Sequence, residues 1–282
     1  MEFFYLIPIV LGLSGQNLFK KMFSGKSGGQ GIYTFALLTA FSAMLFFLVT
    51  APRLQWEVRL LPYAFFFAVT YGAATIFSTL AISCGPLSLS ALISSFSLMI
   101  PTFYGLLFLK EPLSLGLLPG ICLLACSLFL INKRTPDTRV TLKWLFFVLL
   151  SFAGNGLCSV AQKMQQIAFG GSFKHEFMLL SLTMVAGILL IAIVLSERKV
   201  CVKAAATGWY FALGCGIMNG AVNLFVMILS GLMSVSLMFP LMSVGSILVT
   251  FVLSKILYKE TLTKTQYLGF LLGIAAIILL NL

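Results

Sequence analysis

The sequence contains few charged residues. Charged side chains make up 9% of the 282 residues and apolar ones 60%, whereas soluble domains carry about 25% charged residues. The mean hydropathy is +1.09. This composition excludes a soluble globular domain and indicates an integral membrane protein. Because the apolar runs are too long for barrel strands, and backbone groups inside a bilayer need internal partners, the predicted fold class is all-α.

The sequence also lacks the residue patterns of enzymes and metal proteins. Its single histidine, His175, lies beside Lys174 and Glu176 in a predicted loop, where we expect it to be solvated. There is no glycine-rich phosphate loop, zinc-binding His-Glu pattern or nucleophile elbow, and one histidine cannot serve a catalytic triad. The six cysteines show no metal-ligand spacing beyond the pair Cys122 and Cys126. We therefore predict no enzyme activity, no catalytic residue, no cofactor and no bound metal.

Windows of about 20 apolar residues predict ten membrane-spanning helices. Their predicted ranges are 3–22, 31–50, 60–84, 87–109, 114–132, 143–164, 176–196, 205–229, 232–257 and 265–281. The polar segment 133–142 separates a first five-helix repeat, residues 1–132, from a second, residues 143–282. An odd number of helices per repeat places the two copies in opposite orientations, so the predicted architecture is a pair of inverted repeats.

The two halves resemble each other in sequence near their ends. Residues 92–132 align without a gap on residues 241–281. The alignment places Ser94 and Ser97 on Ser243 and Ser246, Lys110-Glu111 on Lys259-Glu260, and Gly120 on Gly269. A duplicated hydrophobic chain is typical of secondary transporters, which hold their substrate between the halves.

Basic residues are distributed unequally between the two ends of the predicted helices. Those that follow helices 1, 3, 5, 7 and 9 number 13 of the 18: Lys20, Lys21, Lys26, Lys133, Arg134, Arg139, Lys143, Arg198, Lys199, Lys203, Lys255, Lys259 and Lys264. The positive-inside rule makes this side cytoplasmic and predicts a multi-pass plasma-membrane protein with both termini outside. These loop charges account for the net charge of +11, so we predict a lipid bilayer and no nucleic acid as partner.

No carboxylate falls in the middle of a predicted helix. All seven lie in loops or at helix ends: Glu2, Glu57, Glu111, Asp137, Glu176, Glu197 and Glu260. Proton-coupled and cation-coupled carriers usually need a buried carboxylate whose charge changes during the cycle. The sequence therefore predicts uniport or substrate exchange.

The polar residues inside the predicted helices are mostly amides and hydroxyls that recur at helical spacing. Asn and Gln are costly in lipid, so their faces point to other helices or to a water-filled cavity. For single Ser and Thr residues, interhelical hydrogen bonding remains the alternative. The residues predicted to bind a small-molecule substrate are Asn17, Tyr71, Thr75, Ser94, Ser97, Asn155, Ser159, Asn219, Asn223, Ser243 and Ser246. The candidate anion contacts are Lys21, Lys163 and Lys255.

The whole pattern resembles the drug/metabolite transporter superfamily, in particular its EamA-type ten-helix branch. The residues that carry the resemblance are Pro101, Lys110-Glu111 and Gly120, then Lys259-Glu260 and Gly269, and Lys21 and Lys163 at the end of each repeat's first helix. The resemblance implies a central cavity walled by the first, third and fourth helices of each repeat, with alternating access by rocking of the halves. Two features differ: Thr250 stands at the counterpart of Pro101, and relatives of known structure have their termini inside.

The predicted function is alternating-access transport of a small polar metabolite, neutral or zwitterionic, such as an amino acid or nucleoside-like solute. One alternative is an exchanger of organic anions or sugar phosphates. A second is a membrane scaffold or partner subunit without transport activity. The Gly-x-x-x-Gly spacings at Gly116/Gly120 and Gly269/Gly273 leave both a monomer and a homodimer open.

Overall fold

The computed structural model describes residues 2–84, 93, 96–111, 116–131, 141–258 and 264–280. Within these ranges the regular structure is helical and includes no strand, so the all-α prediction is confirmed. The described α-helices are α1 (Leu6–Ser27), α2 (Ile32–Thr50), α3 (Leu61–Cys84), α4 (Met99–Phe108), α5 (Leu117–Ile131), α6 (Leu142–Ala168), α7 (Lys174–Ser196), α8 (Cys201–Leu232), α9 (Val235–Tyr258) and α10 (Lys264–Leu280). Short 3-10 turns at Glu2–Tyr5 and Val58–Leu60 precede α1 and α3.

Several helices extend beyond their predicted apolar cores. α1 continues to Ser27, beyond the predicted end at residue 22, so Lys26 lies in its last turn and not in a loop. It ends where Gly28 takes a positive φ of 62°, which glycine adopts without strain. Hydropathy marks only the part of a helix that prefers lipid, whereas backbone hydrogen bonding continues until a residue of this kind stops it.

The environment predicted for His175 is wrong. α7 begins at Lys174, so His175 lies in its first turn. Its ring is half-buried and stands edge-on to Phe47 with centroids 5.8 Å apart. Its Nε2 is buried and has no hydrogen-bond partner among the described residues.

Five of the described helical segments are long and apolar enough to cross a membrane. They are Ile32–Thr50, Val58–Ala81, Leu142–Ala168, Lys174–Ser196 and Cys201–Leu232, which belong to α2, α3, α6, α7 and α8. Large apolar side chains also remain exposed along these helices, for example Val49, Leu195 and Val202. The chain therefore has the length, apolarity and surface of a helical membrane protein.

The helices pack in a defined set of pairs. α3 packs against α6 and α7, α1 against α8 and α9, and α2 against α7 and α8. α4 lies against α6 and α9, and α5 lies against α10. Small residues bring backbones into contact: a Cβ on Gly154 of α6 would lie 2.7 Å from the Thr70 carbonyl of α3. A Cβ on Gly216 of α8 would lie 2.5 Å from the Thr39 carbonyl of α2, as expected for close packing in a membrane.

Carboxylates connect neighbouring elements at the helix ends. Glu197, at the end of α7, accepts hydrogen bonds from the backbone N–H groups of Tyr33 and Thr34 at 3.0 and 2.9 Å. Glu176, in the first turn of α7, accepts one from the backbone of Gln55 at 2.9 Å. The N–H groups that start a helix lack partners inside it and carry partial positive charge, so an acceptor carboxylate stabilises them.

The Lys110-Glu111 pair has a structural role of the same kind. Lys110 takes a positive φ of 53°. The next residue, Glu111, accepts hydrogen bonds from the N–H groups of Val235 and Ser236, at 2.9 and 2.8 Å, at the start of α9. Its counterpart at the repeat offset, Glu260, lies outside the described residues. The prediction that carboxylates lie at helix ends or in loops is confirmed for the four with described side chains.

Candidate functional site

Four side-chain amides form a continuous hydrogen-bonded chain inside the helix bundle. Gln162 of α6 donates to Asn223 of α8 at 2.7 Å. Asn223 donates to the Asn219 side chain at 3.1 Å and to its main-chain carbonyl at 2.8 Å. Asn219 in turn donates to Gln16 of α1 at 3.1 Å. We call these four residues the amide chain. Gln162, Asn219 and Gln16 are only 4%, 9% and 5% exposed.

A fourth helix reaches the amide chain through Tyr71. Its hydroxyl faces the Asn219 side chain, and its ring stacks on Phe67 within α3 with centroids 5.6 Å apart. The amide chain and Tyr71 thus join α1, α3, α6 and α8, the first and third helices of the two predicted repeats. An aromatic face beside buried amides is suited to a solute with polar and apolar parts.

The amide chain ends in an unused donor. The Nε2 of Gln16 is buried and has no hydrogen-bond partner among the described residues. A buried polar group without a partner costs about 1–3 kcal/mol. A polar solute or a water molecule that accepts a hydrogen bond from Gln16 would recover this free energy.

The prediction for α1 selected the wrong amide. Asn17 is exposed, whereas its neighbour Gln16 is buried in the amide chain. Adjacent residues of a helix are rotated by about 100°, so the two side chains lie on different faces. Gln16 lies one turn after Gly12, whose Cβ would come within 2.5 Å of Val222 on α8. In the sequence, Gly12 is therefore the residue that indicates which face of α1 points toward the other helices.

The structure brings together only some of the other predicted substrate residues. Asn219, Asn223 and Tyr71 meet as described, and Ser159 is buried on α6, one turn before Gln162. Asn155 is half-buried on the same helix, one turn before Ser159. Gln162 is not among the predicted substrate residues, although its spacing of i+7 from Asn155 and i+3 from Ser159 places it on the same helix face.

The predicted hydroxyl groups bond mainly to their own helices. Thr75 donates to the Tyr71 carbonyl at 3.0 Å, and Ser246 donates to the Ser243 carbonyl at 3.0 Å. Ser97 is buried in the turn before α4, and Ser243 is buried within α9. Ser94 lies outside the described residues. The bonds of Thr75 and Ser246 therefore stay within one helix, unlike the interhelical bonds that the alternative predicted.

A cavity of about 500 Å³ opens between the C-terminal ends of α6 and α8. Its lining consists of Lys163, Gln166, Ile167, Gly170, Gly171, Lys174, Ile228, Ser230, Gly231 and Leu232. We call this cavity the vestibule. The Lys163 ammonium donates to the Ser230 carbonyl at 2.5 Å, and the Lys174 ammonium donates to the Gly171 carbonyl. The vestibule combines two cations with one buried glutamine.

The vestibule lies next to the amide chain. Gln166 follows Gln162 by four residues on α6, and Ser230 follows Asn223 by seven on α8. These spacings keep the same helix face and correspond to axial rises of about 6 and 10 Å. The vestibule thus approaches the amide chain from one end of the bundle, to within one or two helical turns.

The three predicted anion contacts are not in one place. Lys163 lines the vestibule, but Lys21 is exposed near the end of α1. α1 runs antiparallel to α8, because Gly12 meets Val222 whereas Phe23 meets Gly208, so Lys21 lies toward the other end of α8. The side chain of Lys255, on α9, is outside the described residues. Lys174 takes the second cationic position, which the sequence prediction missed by assigning it to a loop.

The fold and the site together have the features of a helical membrane protein with a polar interior. Within the described ranges, no three His, Cys, Asp or Glu side chains group in a way that could hold a metal ion. The vestibule and the amide chain present cations and amides, groups that bind polar solutes through charge and hydrogen bonds.

Comparison with known proteins identifies the fold and no more. No protein-family model and no curated protein matches the sequence. The chain is similar to a solved structure described only as the crystal structure of a protein, with a TM-score of 0.77 and 12% sequence identity. The similarity covers 98% of this chain and 94% of the other. The two proteins therefore share a fold over nearly their whole lengths.

Proposed function

We propose that the protein is a secondary transporter that carries a small polar metabolite, neutral or zwitterionic, across the membrane by alternating access. The observation that carries this proposal is the amide chain, a set of buried amides in apolar helices with an unused donor at Gln16. Amides at this depth are costly unless they bond to one another or to a polar solute. An amino acid or nucleoside-like solute has the matching donors and acceptors.

The packing of the helices supports an architecture of ten membrane spans in two inverted repeats. When each helix is exchanged for the one five places away, the α3–α6 pair becomes α8–α1, and α2–α8 becomes α7–α3. The α1–α9 pair becomes α6–α4, while α2–α7, α4–α9 and α5–α10 map onto themselves. The same packing supports the resemblance to EamA-type drug/metabolite transporters. On charge, we propose a plasma-membrane location with both termini outside.

The hydrogen bonds of the amide chain suggest how a solute enters. In the described structure the amides bond to one another, so the contacts of α8 with α6 and α1 close the floor of the vestibule. A solute that replaces these bonds keeps the amides satisfied while the helices separate. Because one set of hydrogen bonds replaces another, the net change in free energy is small, as alternation between two states requires.

Uptake into proteoliposomes tests the proposal. Purified protein should take up at least one labelled amino acid or nucleoside, and Asn219→Ala or Asn223→Ala should weaken its binding by about 5- to 150-fold, which corresponds to 1–3 kcal/mol. The matched control is Thr183→Ala, because Thr183 is exposed on α7 and, among the described residues, donates its hydrogen bond to Leu179 of its own helix. If both asparagine variants take up the solute with wild-type affinity, the proposal is contradicted.

The vestibule lysines favour a second candidate function, exchange of organic anions or sugar phosphates. Lys163 and Lys174 line the same cavity, and each bonds a backbone carbonyl. Such an exchanger would show competition by phosphate esters that weakens as salt is added. A scaffold without transport activity, the remaining alternative, would show no uptake of either solute class.

A further inference from the structure

We propose that the vestibule is a binding site for an oxyanion that carries its own hydrogen-bond donor, such as hydrogen phosphate or a hydroxycarboxylate. In this site Lys163 and Lys174 bind the anionic oxygens, and Gln166 accepts the hydrogen bond from the ligand's O–H group. The inference rests on the proposed function in one respect, because it deepens the second candidate, exchange of organic anions, by naming the anions that enter from the vestibule.

The two ammonium groups retain most of their donors. An ammonium has three N–H groups. One N–H of Lys163 is directed to the Ser230 carbonyl, and one of Lys174 to the Gly171 carbonyl. Among the residues that the structure describes, two N–H groups on each lysine remain for a ligand.

In the described part of the chain, neither Lys163 nor Lys174 forms an ion pair with a carboxylate. The ion pair found there joins Arg59 to Glu57. The acid that acts electrostatically on Lys163 is Glu111. Both oxygens of Glu111 already accept N–H groups of α9, from Val235 and Ser236. The positive charge of the vestibule is therefore available to an incoming anion.

Gln166 supplies the acceptor that distinguishes between oxyanions. It is 4% exposed, and its Oε1 is buried without a hydrogen-bond partner among the described residues. Its Nε2 donates to Gln165, which directs the amide so that the oxygen stays unused.

The turn after α6 brings this acceptor close to a cation. Gly170 and Gly171 take positive φ values of 57° and 80°, which fold the chain back over the end of α6. A Cβ on Gly171 would lie 3.6 Å from the Lys174 Nζ and 3.8 Å from the Gln166 Oε1. The donor and the acceptor thus converge on one small volume.

This combination selects a chemical class. A fully deprotonated anion such as sulfate satisfies the lysines but leaves the Gln166 oxygen unpaired, whereas hydrogen phosphate and glycolate satisfy both. A site that leaves a buried group unpaired rejects the ligand strongly. The cavity of about 500 Å³ is also within the usual size range of small-molecule sites.

Anion binding to the purified full-length chain in detergent tests the inference, with sodium phosphate, glycolate and sulfate compared by calorimetry at equal ionic strength. We expect phosphate and glycolate to bind at least about tenfold more tightly than sulfate. Lys163→Gln and Lys174→Gln should each weaken phosphate binding about tenfold or more, and Lys174→Arg should retain most of it. Gln166→Met should remove the preference for phosphate over sulfate.

Lys199→Gln is the matched control, because Lys199 is exposed between α7 and α8 and its loss changes the net charge equally. A wild-type protein that binds sulfate as tightly as phosphate, or lysine variants that bind phosphate as tightly as the control, would overturn the inference. If one lysine variant fails to fold, the other and Gln166→Met decide the question.

The phosphatidylglycerol headgroup also combines anionic phosphate oxygens with hydroxyl donors, so the measurement is repeated in nanodiscs. Phosphate binding that persists in phosphatidylglycerol discs supports a soluble ligand, whereas binding lost there but kept in phosphatidylcholine discs overturns that assignment. Uptake separates this inference from the proposed function. Anion binding without any uptake contradicts transport alone, and uptake of neutral solutes without anion binding contradicts the vestibule site alone.

Discussion

The bond between Asn219 and Gln16 allows a test of whether the amide chain serves packing or transport. We consider the apolar replacements Asn219→Leu and Gln16→Met, which keep the approximate shape of each side chain. Asn219→Leu removes the donor to the Gln16 oxygen, and the Gln16 nitrogen already lacks a partner. Asn223 keeps an acceptor, because its bond to the Asn219 main-chain carbonyl at 2.8 Å remains.

The size of the effect follows from the groups left unpaired. An unsatisfied buried amide costs about 1–3 kcal/mol, whereas interhelical hydrogen bonds measured in membranes average about 0.6 and reach about 1.7 kcal/mol. We expect each single variant to lower the free energy of unfolding by about 1–2 kcal/mol. The double variant replaces both partners of the bond, so its loss should be smaller than the sum by about 1 kcal/mol.

The assay is reversible unfolding in detergent mixtures followed by tryptophan fluorescence, combined with uptake into proteoliposomes. If the amides bind substrate, the double variant remains folded but loses most of its uptake. Additive single effects would refute the bond between Asn219 and Gln16. Wild-type uptake by a folded double variant would refute the role in transport and leave the amide chain as a packing element.

Three further predictions concern topology, coupling and packing. A cysteine introduced at Lys199 in a cysteine-free background should be shielded from an impermeant thiol reagent in intact cells, whereas one at Ser172 is labelled; the reverse pattern would contradict the charge-based orientation. Uptake should persist when the pH gradient is collapsed, because the described carboxylates lie at helix ends or in loops; strict dependence on the gradient would mean that an acid takes part. Gly154→Ala should destabilise the protein by about 1–3 kcal/mol, because its Cβ would meet backbone atoms of α3 at 2.7 Å. Gly187→Ala, with nothing within 4 Å of its Cβ, should have little effect, and equal unfolding free energies for the two variants would contradict the packing of α6 on α3.

The resemblance between the two halves in sequence has a partial explanation in the structure. The Lys110-Glu111 pair aligns with Lys259-Glu260, a match that the apolar composition of the chain does not explain. Glu111 caps the start of α9, so the first half of the chain stabilises a helix of the second. The sequence contained the pair, but the helix that it caps is 124 residues away from the carboxylate, and no local pattern could indicate that partner.

Composition and periodicity alone determined the helical membrane class and the shared face of Asn219 and Asn223, because both depend only on local properties of the chain. Tertiary packing decided which face of each helix points inward. Asn17 and Gln16 are equally polar in sequence, but the close approach of Gly12 and Gly15 to α8 sets the rotation of α1 and buries Gln16. Tertiary structure likewise placed Lys163 and Lys174 in one cavity, because the turn at Gly171 brings the second lysine back to the end of α6. Helical periodicity defines positions around one axis, and the rotation about that axis is set by the neighbouring helices.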